Sequence, residues 1–200
     1  MYFFEIINDP TVFLFCLPFN RPNTQSKNRI GPHPDYIESI IIGTLLGDGF
    51  AEQRHNGTRI CFQQESKTAA YLIEIWRAFA NAGYCSPIQP VMQERVDKDK
   101  PKRYLYRFKT WTFSSFNLYR DLFYDSISKK KLIPKNIEQY LTPLALAVWI
   151  MDDGTKSSSG LRLCTNCFSY EDHLILRLVR EPGNSPAPTL YCKQYLVSSI

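Results

Sequence analysis

The chain has 200 residues, of which 44% are hydrophobic, and a formal net charge of +5. That length fits one sizeable domain or two small ones, and the apolar fraction is sufficient to fill a core. Six scattered cysteines in a chain of this size argue against a small disulfide-stapled scaffold. The basic excess is compatible with a polyanionic partner, and it is equally compatible with an ordinary soluble protein.

Residues 1–34 are predicted to form a leader outside the main folded region. An apolar stretch over 11–19 is too short to span a bilayer, and no positive charge precedes it. We therefore expect neither a membrane span nor a secretory signal in this stretch.

The first clear element is a helix that begins at Asp35 and should end at Gly49. Its apolar residues recur at helical spacing, and a glycine at the end is typical of a left-handed cap. A hairpin follows, with its turn predicted at Asn56-Gly57, the dipeptide most typical of tight hairpins.

The next elements complete a unit of seven. A helix is predicted over 66–80, two strands over 88–96 and 103–113, and a further helix over 115–125. The order is helix, two strands, helix, two strands, helix.

The pattern then restarts, which indicates an internal repeat. Pro143 stands at a plausible first helical position, and the new helix runs to Asp153. A hairpin with a strand over 161–168 and a helix from Tyr170 follow. Asp48 and Asp153 are 105 residues apart (153 − 48), and the elements after the two acids correspond.

The repeat predicts two units of unequal length. The first covers 35–130, a basic linker covers 131–141, and the second covers 142–180. The text of 181–200 contains three prolines and no convincing hairpin, so an irregular tail and an incomplete second unit are expected.

Both copies of the helix end in an acid, and that placement is electrostatically unfavourable. Asp48 and Asp153 stand in the last turn, where the helix dipole is negative and an exposed carboxylate costs about 0.3–1 kcal/mol. A divalent cation offsets this cost by binding the carboxylates and the unpaired carbonyl oxygens of the helix end. We therefore interpret Asp48 and Asp153 as metal ligands and catalytic residues.

Small residues in the same helices predict that the helices pack closely. Gly43 and Gly47 are four residues apart and share one face, and helical glycines cost about 1 kcal/mol each relative to alanine. Close contact between the helices offsets that cost, with Gly43, Gly47 and Ala147 at the contact. The two acids then meet at one end, where paired metals suit hydrolysis of both strands of a duplex.

This combination resembles a known family. The motifs are IIGTLLGDG at 41–49 and LAVWIMDDG at 146–154, supported by KKKLIPKN at 129–136 and LRLCTNCFS at 161–169. They are similar to those of LAGLIDADG homing endonucleases of the monomeric two-motif type, which are encoded in organelle introns. Val148 and Asp152 stand where the first motif has its two glycines, so the second helix is bulkier at the contact.

The resemblance implies a fold, a cofactor and a partner. The fold is α+β, with two pseudo-symmetric αββαββα units packed through the two motif helices and antiparallel sheets that form a DNA-binding saddle. The cofactor is Mg²⁺, held by Asp48 and Asp153. The partner is double-stranded DNA, the protein is a monomer, and its location is the mitochondrion.

The polar faces of the strands are the predicted DNA contacts. Arginine and glutamine side chains can pair bidentately with base edges in the major groove. The alternative is a solvated polar sheet face. The residues assigned to this surface are Arg54, Arg59, Gln63, Arg103, Arg107, Arg162 and Asn166.

Two further residues are assigned catalytic roles. Lys109 resembles the basic residue that family members carry near the scissile phosphate, where it would stabilise developing charge. Gln63 would orient solvent. The lysines at 129–131 and Lys135 are interpreted as phosphate-positioning or as a solvated linker.

Three functions remain open on these grounds. The first is an active site-specific double-strand endonuclease, and the second is an RNA-binding intron maturase that does not cut. The third is a degenerate copy with a half-built DNA surface. Retention of both acids favours the nuclease, because RNA binding does not need them.

Overall fold

The structure is a computed structural model, and it describes residues 24–96, 101–157, 160–166 and 168–178. The first part of the predicted leader and the predicted irregular tail lie outside the described residues. The chain divides into two compact units, one made of 1–37 with 49–117 and the other of 38–48 with 118–200. Within the described ranges, no helix is long and apolar enough to cross a membrane.

The elements follow the predicted order, and helices and strands alternate as the α+β prediction requires. The helices are α1 (Asp35–Leu46), α2 (Ala69–Asn81), α3 (Asn117–Phe123), α4 (Pro143–Asp153) and α5 (Tyr170–Leu178). The strands are β1 (Phe50–Arg54), β2 (Gly57–Glu65), β3 (Gln93–Arg95), β4 (Arg103–Lys109), β5 (Gly154–Ser157) and β6 (Gly160–Leu163).

The first unit is built on an antiparallel sheet with strand order β1-β2-β4-β3. Alternation along the strands turns one side of this sheet towards α2. Phe62 stacks on Phe108 with ring centroids 4.5 Å apart, and Phe79 of α2 meets Phe62 edge-on at 5.0 Å. This aromatic packing leaves the other side of the sheet for polar side chains.

Two predicted strands are longer than the strands observed. Only 93–95 of the predicted 88–96 pairs with a neighbour, because Pro87 and Pro90 precede it and cannot donate to a ladder. β4 ends at Lys109 instead of 113, because Trp111 turns its N–H to the carbonyl of Tyr84. The predicted strand over 161–168 likewise ends at Leu163.

The first hairpin turns one residue earlier than predicted. Arg54 pairs with Gly57, so His55 and Asn56 form the turn, and His55 has a positive φ of 48°. Gly57 is instead the first residue of β2. A Cβ there would lie 2.8 Å from Thr112 and 2.9 Å from the carbonyl oxygen of Phe113, so the close approach of the chain requires glycine.

The last residues of the predicted leader belong to the first unit. The imidazole of His33 lies 2.8 Å from the hydroxyl of Tyr84 and 2.8 Å from that of Ser115, and it packs against Phe113 and Phe116. Burial lowers the pKa of His33 to about 4, so the ring is neutral at pH 7. His33, near the end of the predicted leader, therefore packs with the first unit, and the leader itself stays a prediction.

The second unit contains α4, the β5-β6 hairpin and α5. Thr142 caps α4 by accepting the N–H of Ala145 at 3.1 Å, and Pro143 is the first helical residue as predicted. Asp172 of α5 accepts the N–H of Ile133 at 2.8 Å, which ties the linker to this unit. The linker is thus folded rather than a free connection.

Candidate functional site

The C-terminal halves of α1 and α4 pack together inside the second unit. A Cβ on Gly43 would lie 2.7 Å from Cβ of Val148 and would also meet the carbonyl oxygen of Ala145. Real Cβ atoms do not approach other atoms this closely, so the contact requires glycine at this position. Ala147, which we also predicted at the contact, is half-buried and is not among these nearest neighbours.

The end of α1 differs from the prediction. The helix stops at Leu46, and Gly49 does not have the positive φ of a left-handed cap. The chain passes instead through a turn at Gly47 and Asp48 straight into β1. Because Asp48 lies two residues beyond the helix, its position depends on contacts made outside the helical backbone.

Asp153 lies at the end of α4, half-buried beside the first acid. One carboxylate oxygen accepts the indole N–H of Trp149 at 3.3 Å. Burial and, after it, the charge of Asp48 raise the pKa of Asp153 to about 6, while the Trp149 hydrogen bond and the charge of Lys131 oppose the rise. The two predicted acids are therefore close enough to repel each other.

The peptide group between Gly47 and Asp48 is bonded at both ends. Its carbonyl oxygen accepts the ammonium of Lys131 at 2.7 Å, and its N–H donates to the carboxylate of Asp152 at 3.3 Å. The assignment of Lys131 to a solvated or phosphate-positioning run is therefore corrected. The partner of Lys131 is 84 residues away in the sequence, so no local sequence pattern predicts this contact.

These groups fit a divalent cation of the magnesium type. Carboxylates and backbone carbonyl oxygens are the ligands that such hard cations prefer. Two half-exposed acids that repel each other at the negative ends of two helices also gain from a bound cation. Among the described residues, no group of three or more His, Cys, Asp or Glu side chains forms a ready-made metal site. Two protein carboxylates would therefore need water or phosphate oxygens to complete the coordination.

The polar side of the first unit's sheet carries most of the residues predicted to contact DNA. The register sets Gln63 opposite Arg107 and Cys61 opposite Lys109. Arg59 is opposite Glu52 in the pairing of β1 with β2, so both lie on this side of the sheet. Arg54 is two residues after Glu52 in β1 and lies on the same side. Arg103 and Arg95 face each other at the β3 end. Arg162 and Asn166, in the second unit, are exposed.

Glu52 is a residue that the sequence interpretation missed, and from the edge strand β1 it contacts three cations of this basic side. Its carboxylate pairs with Arg54 at 2.6 Å, with Arg59 at 2.8 Å and with Lys109 at 3.7 Å. Burial opposes its ionisation, but Arg59, Lys109 and Arg54 outweigh burial and lower the pKa of Glu52. Strand alternation with Arg54 and the hairpin register would have been enough to find it.

We predict that Glu52→Gln strengthens binding to duplexes of unrelated sequence. Removing one negative charge near a phosphate relieves about 1 kcal/mol of repulsion, or roughly a fivefold gain in affinity. Each basic side chain that leaves Glu52 and binds a phosphate makes the slope of log affinity against log salt concentration steeper by about 0.9. Fluorescence anisotropy over a range of salt concentrations measures both effects.

The matched control is Glu65→Gln. Glu65 lies on the same side of β2 and pairs with Lys67 at 3.1 Å, outside the Glu52 group. Equal changes in affinity and salt slope for the two variants would contradict a special role for Glu52.

The sequence profile of the LAGLIDADG DNA endonuclease family matches residues 38–179. The chain therefore belongs to the LAGLIDADG DNA endonuclease family, as the motifs predicted.

Individual relatives agree with this assignment. The cytochrome b mRNA maturase bI2 of Saccharomyces cerevisiae is 48% identical over 165 residues, which are 79% of this chain and 39% of the yeast protein. The intron-encoded endonuclease ai4 of Dictyostelium discoideum is 34% identical over 110 residues, 54% of this chain and 69% of that protein. The bI2 maturase of Debaryomyces hansenii is 43% identical, and the chain spans 51% of its length.

A solved structure shares the fold. The homing endonuclease I-WcaI, bound to its DNA recognition sequence, matches with a TM-score of 0.65 and 27% sequence identity. The match covers 78% of this chain and 72% of that one. The α+β fold that the family resemblance implied is thereby confirmed.

Proposed function

We propose that this protein is a site-specific double-strand DNA endonuclease that depends on a divalent metal and promotes homing of its intron. The observation that carries the proposal is the pair of acids, Asp48 and Asp153, that meet at the ends of α1 and α4. Partial burial of Asp153 and its repulsion by the exposed Asp48 lower stability, and a metal-dependent nuclease is a function that makes use of such a pair.

Asp48 and Asp153 would hold Mg²⁺. Bound there, the metal supplies an activated water nucleophile and stabilises the leaving oxygen of the phosphodiester. Lys109 would stabilise charge on the scissile phosphate, and Gln63 would orient solvent. Both side chains lie on the polar side of the sheet in the first unit.

Sequence recognition belongs to the polar strand residues. Phosphate contacts set the register, and arginine, glutamine and asparagine pair with base edges. We propose that the protein acts as a monomer in the mitochondrion, in line with the cytochrome b maturases among its relatives. The residues proposed to contact DNA are Arg54, Arg59, Gln63, Arg103, Arg107, Arg162 and Asn166.

An intron maturase is the second candidate. The observation in its favour is that the two bI2 relatives, at 48% and 43% identity, carry that name. RNA binding would use the basic surface and would not need either acid. The third possibility, an inactive copy, rests on the predicted incomplete second unit, and the residues concerned lie largely beyond 178.

The test uses the full chain with two substrates. A plasmid that carries the intron-free cytochrome b coding sequence is incubated with the protein and Mg²⁺, and the matching intron transcript is used in a binding assay. Linearised plasmid supports the endonuclease. Tight transcript binding without a cut in either DNA strand supports the maturase instead, and soluble protein with neither activity supports the inactive copy.

A further inference from the structure

The two acids are held in place by different means. Asp153 is the last residue of α4. Its carbonyl oxygen accepts the N–H of Cys164 at 3.0 Å, and its carboxylate accepts the indole N–H of Trp149 at 3.3 Å. The last helical bond of α1 runs from the N–H of Gly47 to the carbonyl of Gly43. Asp48 follows that bond and relies on side chains.

The side chains that hold Asp48 act on a single peptide group. Lys131 binds the carbonyl oxygen of Gly47 at 2.7 Å, and Asp152 accepts the N–H of Asp48 at 3.3 Å. A positive group on the oxygen and a negative group on the N–H align with the peptide dipole, and charge-assisted bonds of this kind are stronger than neutral ones. We call this arrangement the Gly47–Asp48 clamp.

Glycine at 47 is what gives Asp152 access to that peptide. A Cβ on Gly47 would lie 2.5 Å from Cβ of Asp152 and 2.6 Å from its carboxylate oxygen. The carboxylate therefore occupies the space that a side chain at 47 would take. Asp152 occupies the position in the second motif that Gly47 occupies in the first. Because Gly47 has no side chain, it cannot bind the peptide group before Asp153 in the way that Asp152 binds the one before Asp48. The two halves of the repeat are unequal at this point.

We infer that Lys131 and Asp152 are positioning residues that set the Asp48 carboxylate for one of the two strand cuts. This inference rests on the proposed nuclease function. Removing Lys131 or Asp152 leaves Asp153 and its contacts in place. The DNA strand whose cleavage depends on Asp48 is then cut more slowly than the other DNA strand. A protein without the clamp nicks one strand and linearises slowly.

The experiment measures each strand and the clamp itself. Duplexes labelled on one strand or the other report single-turnover cleavage for Asp152→Ala, Lys131→Met and Asp48→Asn. Removing groups that orient a metal ligand typically lowers activity by roughly 10- to 100-fold. We therefore expect Asp152→Ala and Lys131→Met to slow cleavage by that factor on the DNA strand that Asp48→Asn affects most. Asp152→Asn and Lys131→Arg keep a hydrogen-bonding group and should recover most of the rate.

A second readout needs neither metal nor DNA. The protein is labelled with ¹⁵N-aspartate, and the hydrogen-exchange rate of the Asp48 amide is measured. In Asp152→Ala this rate should rise roughly tenfold, because losing one hydrogen bond of about 1.4 kcal/mol raises the exchange rate by that factor. It should stay slow in Asp152→Asn. Lys130→Met, beside Lys131, is the matched charge control and should change neither readout.

The outcomes separate the two ideas. Equal slowing of both strands, or an Asp48 amide that exchanges at the same rate in Asp152→Ala, overturns the clamp. Wild-type protein that cuts neither strand while its Asp48 amide responds to Asp152→Ala overturns the nuclease and leaves the clamp as a structural device.

Discussion

Replacing Asp48 or Asp153 with asparagine is expected to reduce double-strand cleavage by roughly a thousandfold or more, a loss of about 4 kcal/mol of transition-state stabilisation. Asparagine keeps the size of the side chain and removes the charge that attracts a divalent cation. DNA affinity should change little, because the residues proposed to contact DNA lie elsewhere on the chain. Single-turnover cleavage together with anisotropy separates the two effects.

The same substitutions should stabilise the metal-free protein. Relief of a carboxylate at a helix C-terminus contributes about 0.3–1 kcal/mol, which raises Tm by roughly 1–4 °C in a chain of this size. Because the pKa of Asp153 is raised from 3.8 to about 6, its ionised form destabilises the fold at pH 7. The advantage of Asp153→Asn should therefore shrink as pH falls through 6 towards 3.8.

Glu138→Gln is the matched control for both measurements. Glu138 is an exposed acid in the short helical turn before α4, away from either helix end. It should change neither cleavage nor the Tm of the metal-free protein. Full activity in Asp48→Asn or Asp153→Asn would overturn the assignment of these acids as metal ligands.

Gly43→Ala is expected to lower the free energy of unfolding by about 2–3 kcal/mol, within the range seen for overpacked contacts. The new methyl group meets the carbonyl oxygen of Ala145, which is backbone and cannot swing away, and Cβ of Val148. The two helices must then separate. The change outweighs the helix propensity that alanine gains over glycine, about 1 kcal/mol. Urea and thermal unfolding measure it.

Two companion variants make the Gly43 result specific. Val148→Ala in the Gly43→Ala background removes the contact with Cγ1 of Val148 at 2.9 Å but keeps Cβ of residue 148 and the backbone clash, so it should recover only a small part of the loss. Gly47→Ala meets Cβ of Asp152 at 2.5 Å, an atom that side-chain rotation does not move, so it should also lower the free energy of unfolding. Unchanged stability in Gly43→Ala would show that α1 and α4 do not pack as described.

The sequence could predict the elements whose signals are local. Hydrophobic periodicity located α1, α2 and α4, and strand alternation put Gln63, Arg107 and Lys109 on one side of the sheet, as the register confirms. The repeated motif identified the family and the two acids. The residues proposed to bind DNA and metal stay predictions of function.

Other features depend on residues far apart in the chain. The hairpin turn moved to His55 because Gly57 must pass close to Phe113, a constraint from another part of the first unit. The atoms nearest to Gly43 belong to Ala145 and Val148 and not to Ala147, because the facing residue depends on helix rotation as well as spacing. Glu52 required the pairing register before its three cations could be recognised.

The sequence by itself determined the family, the order of elements and the repeated acid at a helix end, because each is written in a contiguous stretch with its own periodicity or motif. The tertiary structure alone decided how the acids are held. Lys131 is 84 residues from Gly47 and Asp152 is 104 from Asp48, and such distant pairs meet only when the helices pack. Distant side chains bind the peptide group before Asp48, whereas Asp153 is bound by Trp149 of its own helix, a difference that two similar motifs do not reveal.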